Sequence, residues 1–145
     1  MKYDDASWHY EGNFPEDLPS NAAGTHIGMF LAWGLLHGLA GSLHTDEFPN
    51  DLEALQERKI TPGRYLINVC DEKLTSEDFN EEGNGFAQFY YASDDDYGAY
   101  LDDYSATLEA ENGSIYQVED TWQNFDRLAP VIEGRYNEWK ASQRR

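Results

Sequence analysis

The segment THIGMFLAWGLLHGLA, residues 25–40, predicts the central element of the fold. Its large apolar side chains recur at three- and four-residue spacings, which predicts a helix from about 26 to 40 with Thr25 as its N-cap. Because apolar residues cover nearly the whole circumference of this helix, we expect it to be buried at the centre of the domain. It is too short and too polar to cross a membrane, which takes about 20 apolar residues.

The same periodicity predicts further helices on the C-terminal side. They cover about 50–58, 62–70, 86–108 in two pieces around Asp94, and 122–139. Thr61 as N-cap and Pro62 as first helical residue favour the helix at 62–70, and a strand over 64–69 is the alternative. Asp120 is the predicted N-cap of the last helix, which Pro130 is expected to bend or divide.

The remaining segments carry turn signals. Glycines and prolines predict an irregular arm over 1–24 that packs on the helical body through Tyr3, Trp8, Tyr10 and Phe14. A capped helical turn is predicted at 75–78, followed by a turn at Gly83-Asn84-Gly85 and a short extended segment at 114–118. Together the patterns predict a mainly α fold: one compact domain over 1–145, a bundle of about five helices with at most a short β element.

Acidic residues dominate the charge of the chain. The sequence has 28 Asp and Glu against 10 Lys and Arg, a formal net charge of −18. Such a charge repels nucleic acids and anionic membranes, and it speeds the encounter with basic proteins. We therefore predict a basic protein partner, and neither nucleic acid nor membrane.

Half of the acids lie in one interval without Lys, Arg or His, from Leu74 to Asp126. An acidic run is usually a solvated face, and that interpretation stays open here. The alternative is an interface, because a basic partner would offset the self-repulsion of the acids, and tyrosines often anchor interfaces. The tyrosines could equally be the buried face of a helix. The predicted partner-binding residues are Asp94, Asp95, Asp96, Tyr97, Tyr100, Asp102, Asp103 and Tyr104.

No motif in the sequence predicts catalysis. The four histidines have no acid or cysteine at a ligand spacing such as His-x-x-x-His, so structural roles are expected for them. Cys70 ends an apolar run with no basic neighbour to lower its pKa, which is typical of a core thiol. Counted from Asp94, the glycine and the glutamate that an EF-hand needs are missing. We predict a protein that is not an enzyme, with no cofactor and no metal site.

A second hypothesis is a small-ligand or metal-binding domain, with an enzyme as the third choice. His26 and His37 lie eleven residues apart on the predicted central helix and share a face. The possible pocket consists of Trp8, His26, Trp33 and His37. A single cysteine excludes an internal disulfide, and the first five residues lack the apolar stretch of a signal peptide, so a cytoplasmic location is expected.

Two segments, KYDDASWHY at 2–10 and THIGMFLAW at 25–33, resemble a family of short acidic bacterial proteins of unknown function. The likeness extends to VEDTW at 118–122 and RLAPVI at 127–132, so it spans nearly the whole chain. The small acidic character of that family resembles toxin immunity proteins, and the resemblance implies no active site. It implies an immunity or antitoxin-like protein that occludes a toxin, for which nucleases are candidate targets because their substrate grooves are basic.

Overall fold

A computed structural model describes residues 2–12, 14–91, 99–108 and 115–143. The strands are β1 Lys2–Asp5 and β2 Lys73–Thr75. The helices are α1 Ala6–Tyr10, α2 Thr25–Leu36, α3 Pro49–Gln56, α4 Pro62–Cys70, α5 Glu81–Tyr90, α6 Tyr100–Thr107 and α7 Trp122–Gln143. Short 3-10 turns lie at Ser20–Gly24, Ser76–Asp78 and Ile115–Gln117, and a π-helical turn lies at Leu43–Glu47.

The mainly α fold with at most a short β element is confirmed. The described residues hold seven α-helices, more than the predicted five or so, because the N-terminal arm contains α1. The capped turn at 75–78 is a 3-10 turn in which Thr75 and Asp78 form a reciprocal capping box. The predicted extended segment at 114–118 is wrong over the described residues, where Ile115–Gln117 is a 3-10 turn.

Helix α2 is the buried centre of the structure. Every residue from Thr25 to Leu35 is buried, as the apolar pattern predicts. The helix is shorter than predicted and ends at Leu36. Its N-cap is Gly24 and not Thr25, because the chain enters from the preceding 3-10 turn and Thr25 is already helical.

Helix α4 packs directly on α2. The Thr61 hydroxyl accepts a hydrogen bond from the Arg64 backbone N–H at 3.4 Å, and Pro62 is the first helical residue, so helix is confirmed over strand here. The two helices approach each other closely at Gly28. A Cβ atom at that position would lie 2.5 Å from the carbonyl oxygen of Pro62, so the contact depends on glycine.

The prediction of an irregular arm over 1–24 is wrong for residues 2–10 and 20–24, which form a strand, a short helix and a 3-10 turn. The strand pairs with one from the middle of the chain. β1 and β2 are antiparallel, with Asp4 opposite Leu74 and Asp5 opposite Lys73. Asp5 then caps α1 by accepting the backbone N–H of Ser7 at 2.9 Å. The aromatic residues of the arm differ in exposure. Tyr3 is buried, whereas Trp8 is 50% exposed and lies under the Lys2 ammonium.

The turn predicted at Gly83-Asn84-Gly85 is also wrong, since these residues lie inside α5. Asn80 caps this helix by accepting the backbone N–H of Gly83 at 2.8 Å. A Cβ at Gly83 would lie 2.9 Å from the Cβ of Phe79, and one at Gly85 would lie 2.9 Å from the Trp139 ring. The two glycines therefore allow close packing of a helix, which outweighs their poor helix propensity.

Helix α7 is continuous through Pro130 and is not divided. Its N-cap is Thr121, whose hydroxyl accepts the Asn124 N–H at 3.1 Å, and not Asp120 as predicted. The Asp120 carboxylate instead accepts hydrogen bonds from the Thr61 hydroxyl at 2.6 Å and the Gly63 N–H at 2.8 Å. It thus ties the start of α7 to the start of α4. Within the described residues, no helix combines the length and the apolar character that a membrane crossing requires.

The contact at Gly28 gives a test of the fold. We expect Gly28→Ala to destabilise the protein by about 1–3 kcal/mol or more, since the added methyl overpacks the α2 and α4 interface. The matched control is Gly134→Ala on α7, where a Cβ meets nothing within 4 Å. That change should stabilise the protein by about 0.5–1 kcal/mol, because alanine is the better helix former. Urea unfolding measures both, and equal effects would contradict the packing.

Candidate functional site

Three buried side chains from three different elements meet beside α2. We name them the Asp4 cluster: Asp4 at the end of β1, His9 on α1 and His26 in the first turn of α2. They are 1%, 7% and 0% exposed. Strand pairing fixes Asp4, and the capped turn at Asp5 brings α1 back across the strand, so that His9 faces Asp4. The cluster is therefore a product of the N-terminal fold.

The Asp4 carboxylate is the centre of this cluster. One oxygen, Oδ1, lies 2.8 Å from His9 Nε2 and accepts the Asp5 N–H at 2.8 Å. The other, Oδ2, accepts the Tyr91 hydroxyl and lies 3.7 Å from His26 Nε2, which is beyond hydrogen-bond distance. Burial alone would raise the pKa of Asp4, but the two histidines outweigh it and hold that pKa well below its ordinary value. Asp4 is thus a carboxylate.

His26 differs from the other buried histidines because its ring nitrogens have no hydrogen-bond partner among the described residues. Burial lowers its pKa, and the attraction of Asp4 offsets this only in part, so the ring is neutral. The Tyr104 hydroxyl is likewise buried without a hydrogen bond, and its ring lies 6.0 Å from that of His26. Unpaired buried polar groups each cost about 1–3 kcal/mol, so they mark this part of the core as unusual.

An open cleft of about 430 Å³ lies next to the Asp4 cluster. Thr25, Thr61, Arg64, Tyr116, Glu119 and Asp120 are among the residues that line it. The Tyr116 hydroxyl lies 2.8 Å from His9 Nδ1. Tyr116 therefore connects the cleft to the buried cluster through one hydrogen bond.

A second group, the Asp78 cluster, lies elsewhere in the fold and consists of His44, Cys70 and Asp78. His44 Nε2 lies 2.8 Å from Asp78 Oδ1, and the Cys70 sulfur lies 3.6 Å from the same oxygen and 3.9 Å from His44 Nε2. His44 Nδ1 lies 2.7 Å from the Tyr65 hydroxyl, and Asp78 Oδ2 accepts the Thr75 N–H at 2.7 Å. The histidine and the carboxylate of this group are fully hydrogen-bonded.

The Cys70 thiol is poorly suited to nucleophilic chemistry. Its burial, together with the adjacent Asp78 carboxylate, raises its pKa strongly. Although His44 is close, Asp78 occupies the nitrogen that faces the sulfur, and a base so occupied does not activate a thiol. The residues therefore favour a core thiol, as the sequence indicates.

The raised pKa of Cys70 predicts low reactivity. At pH 8 we expect the thiol of the native protein to react with Ellman's reagent at least about tenfold more slowly than the thiol in urea. Each unit by which the pKa rises lowers the thiolate fraction about tenfold. The time course of absorbance under both conditions measures the ratio. A native rate equal to the rate in urea would contradict the buried, protonated thiol.

The predicted partner-binding residues differ in their exposure and in their contacts within the fold. Asp94, Asp95, Asp96 and Tyr97 lie outside the described residues, and Asp102 is exposed. Asp103 accepts hydrogen bonds from the Tyr90 hydroxyl and from the Arg135 guanidinium, with N–O distances of 2.9 and 3.1 Å to the latter. It is already paired within the fold.

The prediction that Tyr100 and Tyr104 bind a partner is wrong. Both are 0% exposed, and Tyr100 donates its hydroxyl to the backbone carbonyl of His26. They form the inner face of α6 and pack against the core, which is the alternative that the helical spacing left open. Neither can anchor a partner at the surface.

The predicted pocket of Trp8, His26, Trp33 and His37 is not formed. His26 belongs to the Asp4 cluster, whereas Trp33 stacks on His37 at the far end of α2, with ring centroids 4.4 Å apart. His37 is exposed and its Nδ1 donates to the Trp33 carbonyl at 2.6 Å. Trp8 lies on the surface. Helical spacing placed His26 and His37 on one helix, but eleven residues separate them along its axis.

A model of the family DUF7832, a domain of unknown function, matches residues 2–118. This stretch covers most of the chain, and the protein belongs to that family. The predicted membership of an uncharacterised family is thereby confirmed, and the likeness to immunity proteins stays a prediction. The matched region contains the Asp4 and Asp78 clusters and ends before α7. No curated protein and no solved structure matches the chain.

Proposed function

We propose that this protein acts by binding a basic protein partner through its acidic surface, as an immunity or antitoxin-like protein that occludes a toxin. The observation that carries the proposal is the unbalanced surface charge. All four lysines, Lys2, Lys59, Lys73 and Lys140, are in ion pairs with acids of the same chain. Every lysine is thus neutralised by an acid of the same chain, and the sequence has 18 more acidic than basic residues.

Unpaired acids are exposed on the described surface. Glu47, Asp51 and Glu53 are exposed along the π-helical turn and α3, and they form no ion pair with a base in the described ranges. Asp102 is exposed on α6. Like charges at such density repel one another, and a basic partner would relieve that repulsion and be attracted over a distance.

Binding is favoured over catalysis by the state of the reactive groups. Asp4, His9, His26, His44 and Asp78 are buried, and the pKa of Cys70 is raised. A binding role needs none of them at the surface. We propose the cytoplasm as the site of action and Asp94, Asp95, Asp96 and Asp102 as contacts, without Tyr100 and Tyr104.

The test is co-expression with the product of the neighbouring gene, followed by co-purification and a toxicity assay. We expect a complex and protection of the cells. Association should slow about tenfold or more as salt rises from low to physiological strength, since charge steering accelerates encounter by roughly 10- to 1000-fold. Absence of both complex and protection would refute the proposed function.

Two variants of equal charge locate the surface. Asp94→Asn, Asp95→Asn and Asp96→Asn together change the net charge from −18 to −15. The matched control is Asp46→Asn with Glu47→Gln and Glu53→Gln, which makes the same change in charge on the π-helical turn and α3. We expect the first variant to slow association more than the control in stopped-flow measurements. Equal slowing would show that net charge acts without a specific interface.

A further inference from the structure

We propose that Asp4, His9 and His26 form a binding site for a divalent first-row transition-metal ion, of which Zn²⁺ is the representative. The site is separate from the acidic surface proposed above. Two imidazoles and one carboxylate are a donor set that such ions prefer. No local spacing in the sequence indicates this set of ligands, because the three residues come from β1, α1 and α2.

The geometry of the three donors suits one ion. Their donor atoms all lie within 4.8 Å of one another. Asp4 Oδ1 lies 2.8 Å from His9 Nε2, and Asp4 Oδ2 lies 3.7 Å from His26 Nε2. Two ligands at about 2.0–2.1 Å from a tetrahedral ion lie about 3.3 Å apart, and each of these distances is within about half an ångström of that value.

His26 supplies the independent evidence for a ligand. It is 0% exposed, and both ring nitrogens are without a hydrogen bond within the described part of the chain. Its Nε2 points at the Asp4 carboxylate from 3.7 Å, which is too far for a hydrogen bond. An ion between the two would give this nitrogen a partner.

Hydrogen bonds outside the three donors already hold two of them in place. His9 Nδ1 lies 2.8 Å from the Tyr116 hydroxyl, and the Tyr91 hydroxyl donates to Asp4 Oδ2. A ligating histidine generally uses its second nitrogen in this way, and such partners orient the ring and the carboxylate. When His9 Nε2 binds the ion, Nδ1–H donates to the Tyr116 oxygen.

The cleft beside the cluster offers a route for the ion. Tyr116 and Thr25 line it, the first bonded to His9 and the second adjacent to His26 in sequence. The two carboxylates on its wall, Glu119 and Asp120, outnumber the one guanidinium, Arg64, and so favour the entry of a cation over an anion. Three protein donors leave the ion one position for water in a tetrahedral shell.

The Asp78 cluster is the natural control. It also combines a histidine with a carboxylate and adds a thiol. Its histidine and carboxylate, however, are fully hydrogen-bonded without an ion, through Tyr65 and Thr75. We therefore assign the ion to the Asp4 cluster alone.

The experiment uses the full chain stripped of metal with a chelator, then titrated with Zn²⁺ and with Co²⁺. We expect one tightly bound ion per chain by elemental analysis, a rise in melting temperature, and a Co²⁺ spectrum without thiolate charge-transfer absorption. Mg²⁺ and Ca²⁺ should not compete, because they prefer oxygen donors. The proposed site would be overturned by the absence of stoichiometric Zn²⁺ binding, by competition from Mg²⁺, or by a thiolate band from Cys70.

Three variants assign the residues. Tyr91→Phe removes only an outer partner and should weaken Zn²⁺ binding by about 10- to 100-fold. His26→Gln should weaken it further, and Cys70→Ser should leave it unchanged. Circular dichroism checks folding, and if His26→Gln fails to fold, Tyr91→Phe and the Co²⁺ spectrum of the unmodified protein decide. Undiminished binding in Tyr91→Phe or loss in Cys70→Ser would overturn the assignment.

Discussion

The complete burial of α2 is the constraint on which the rest of the structure depends. A helix with apolar residues on every face must be covered on every side, and no single neighbour can do so. Helix α4 covers one side through the glycine contact at Gly28, and α5, α6 and α7 cover others with aromatic rings. Asp4 of β1 and His9 of α1 contact this helix at His26. His26 is carried into the core by this helix, which is why a polar cluster exists there at all.

Local signals in the sequence were sufficient for the elements whose causes are local. The apolar period of α2, the Thr61 and Pro62 start of α4 and the capping box at Thr75 all predict what the structure contains. The errors have non-local causes. β1 forms because it pairs with a strand some 70 residues away, and Gly83 and Gly85 are helical because Phe79 and Trp139 need the space. Asp120 serves α4 and leaves the cap of its own helix to Thr121.

The candidate site was largely hidden from sequence reasoning. The sequence indicates His26 as a candidate pocket residue, but its partners Asp4 and His9 lie in another part of the chain at spacings that match no ligand motif. Tyr100 and Tyr104 could have been assigned to the core, because their four-residue spacing is that of a helix face. The acidity of the interval from 74 to 126 says nothing about which side chains a fold will use internally, as the pairing of Asp103 with Arg135 illustrates. The acidic surface and the Asp4 cluster are separate features that the sequence cannot distinguish.

Helix α2, α1 and the N-terminal strand together build a polar site inside the core, and we propose that it binds one metal ion. Anomalous diffraction at the zinc edge, from crystals grown with Zn²⁺, tests this proposal. We predict one strong peak within coordination distance of an Asp4 carboxylate oxygen, His9 Nε2 and His26 Nε2. Peaks only at Cys70 or at surface acids, with the bond between Asp4 and His9 intact, would contradict it.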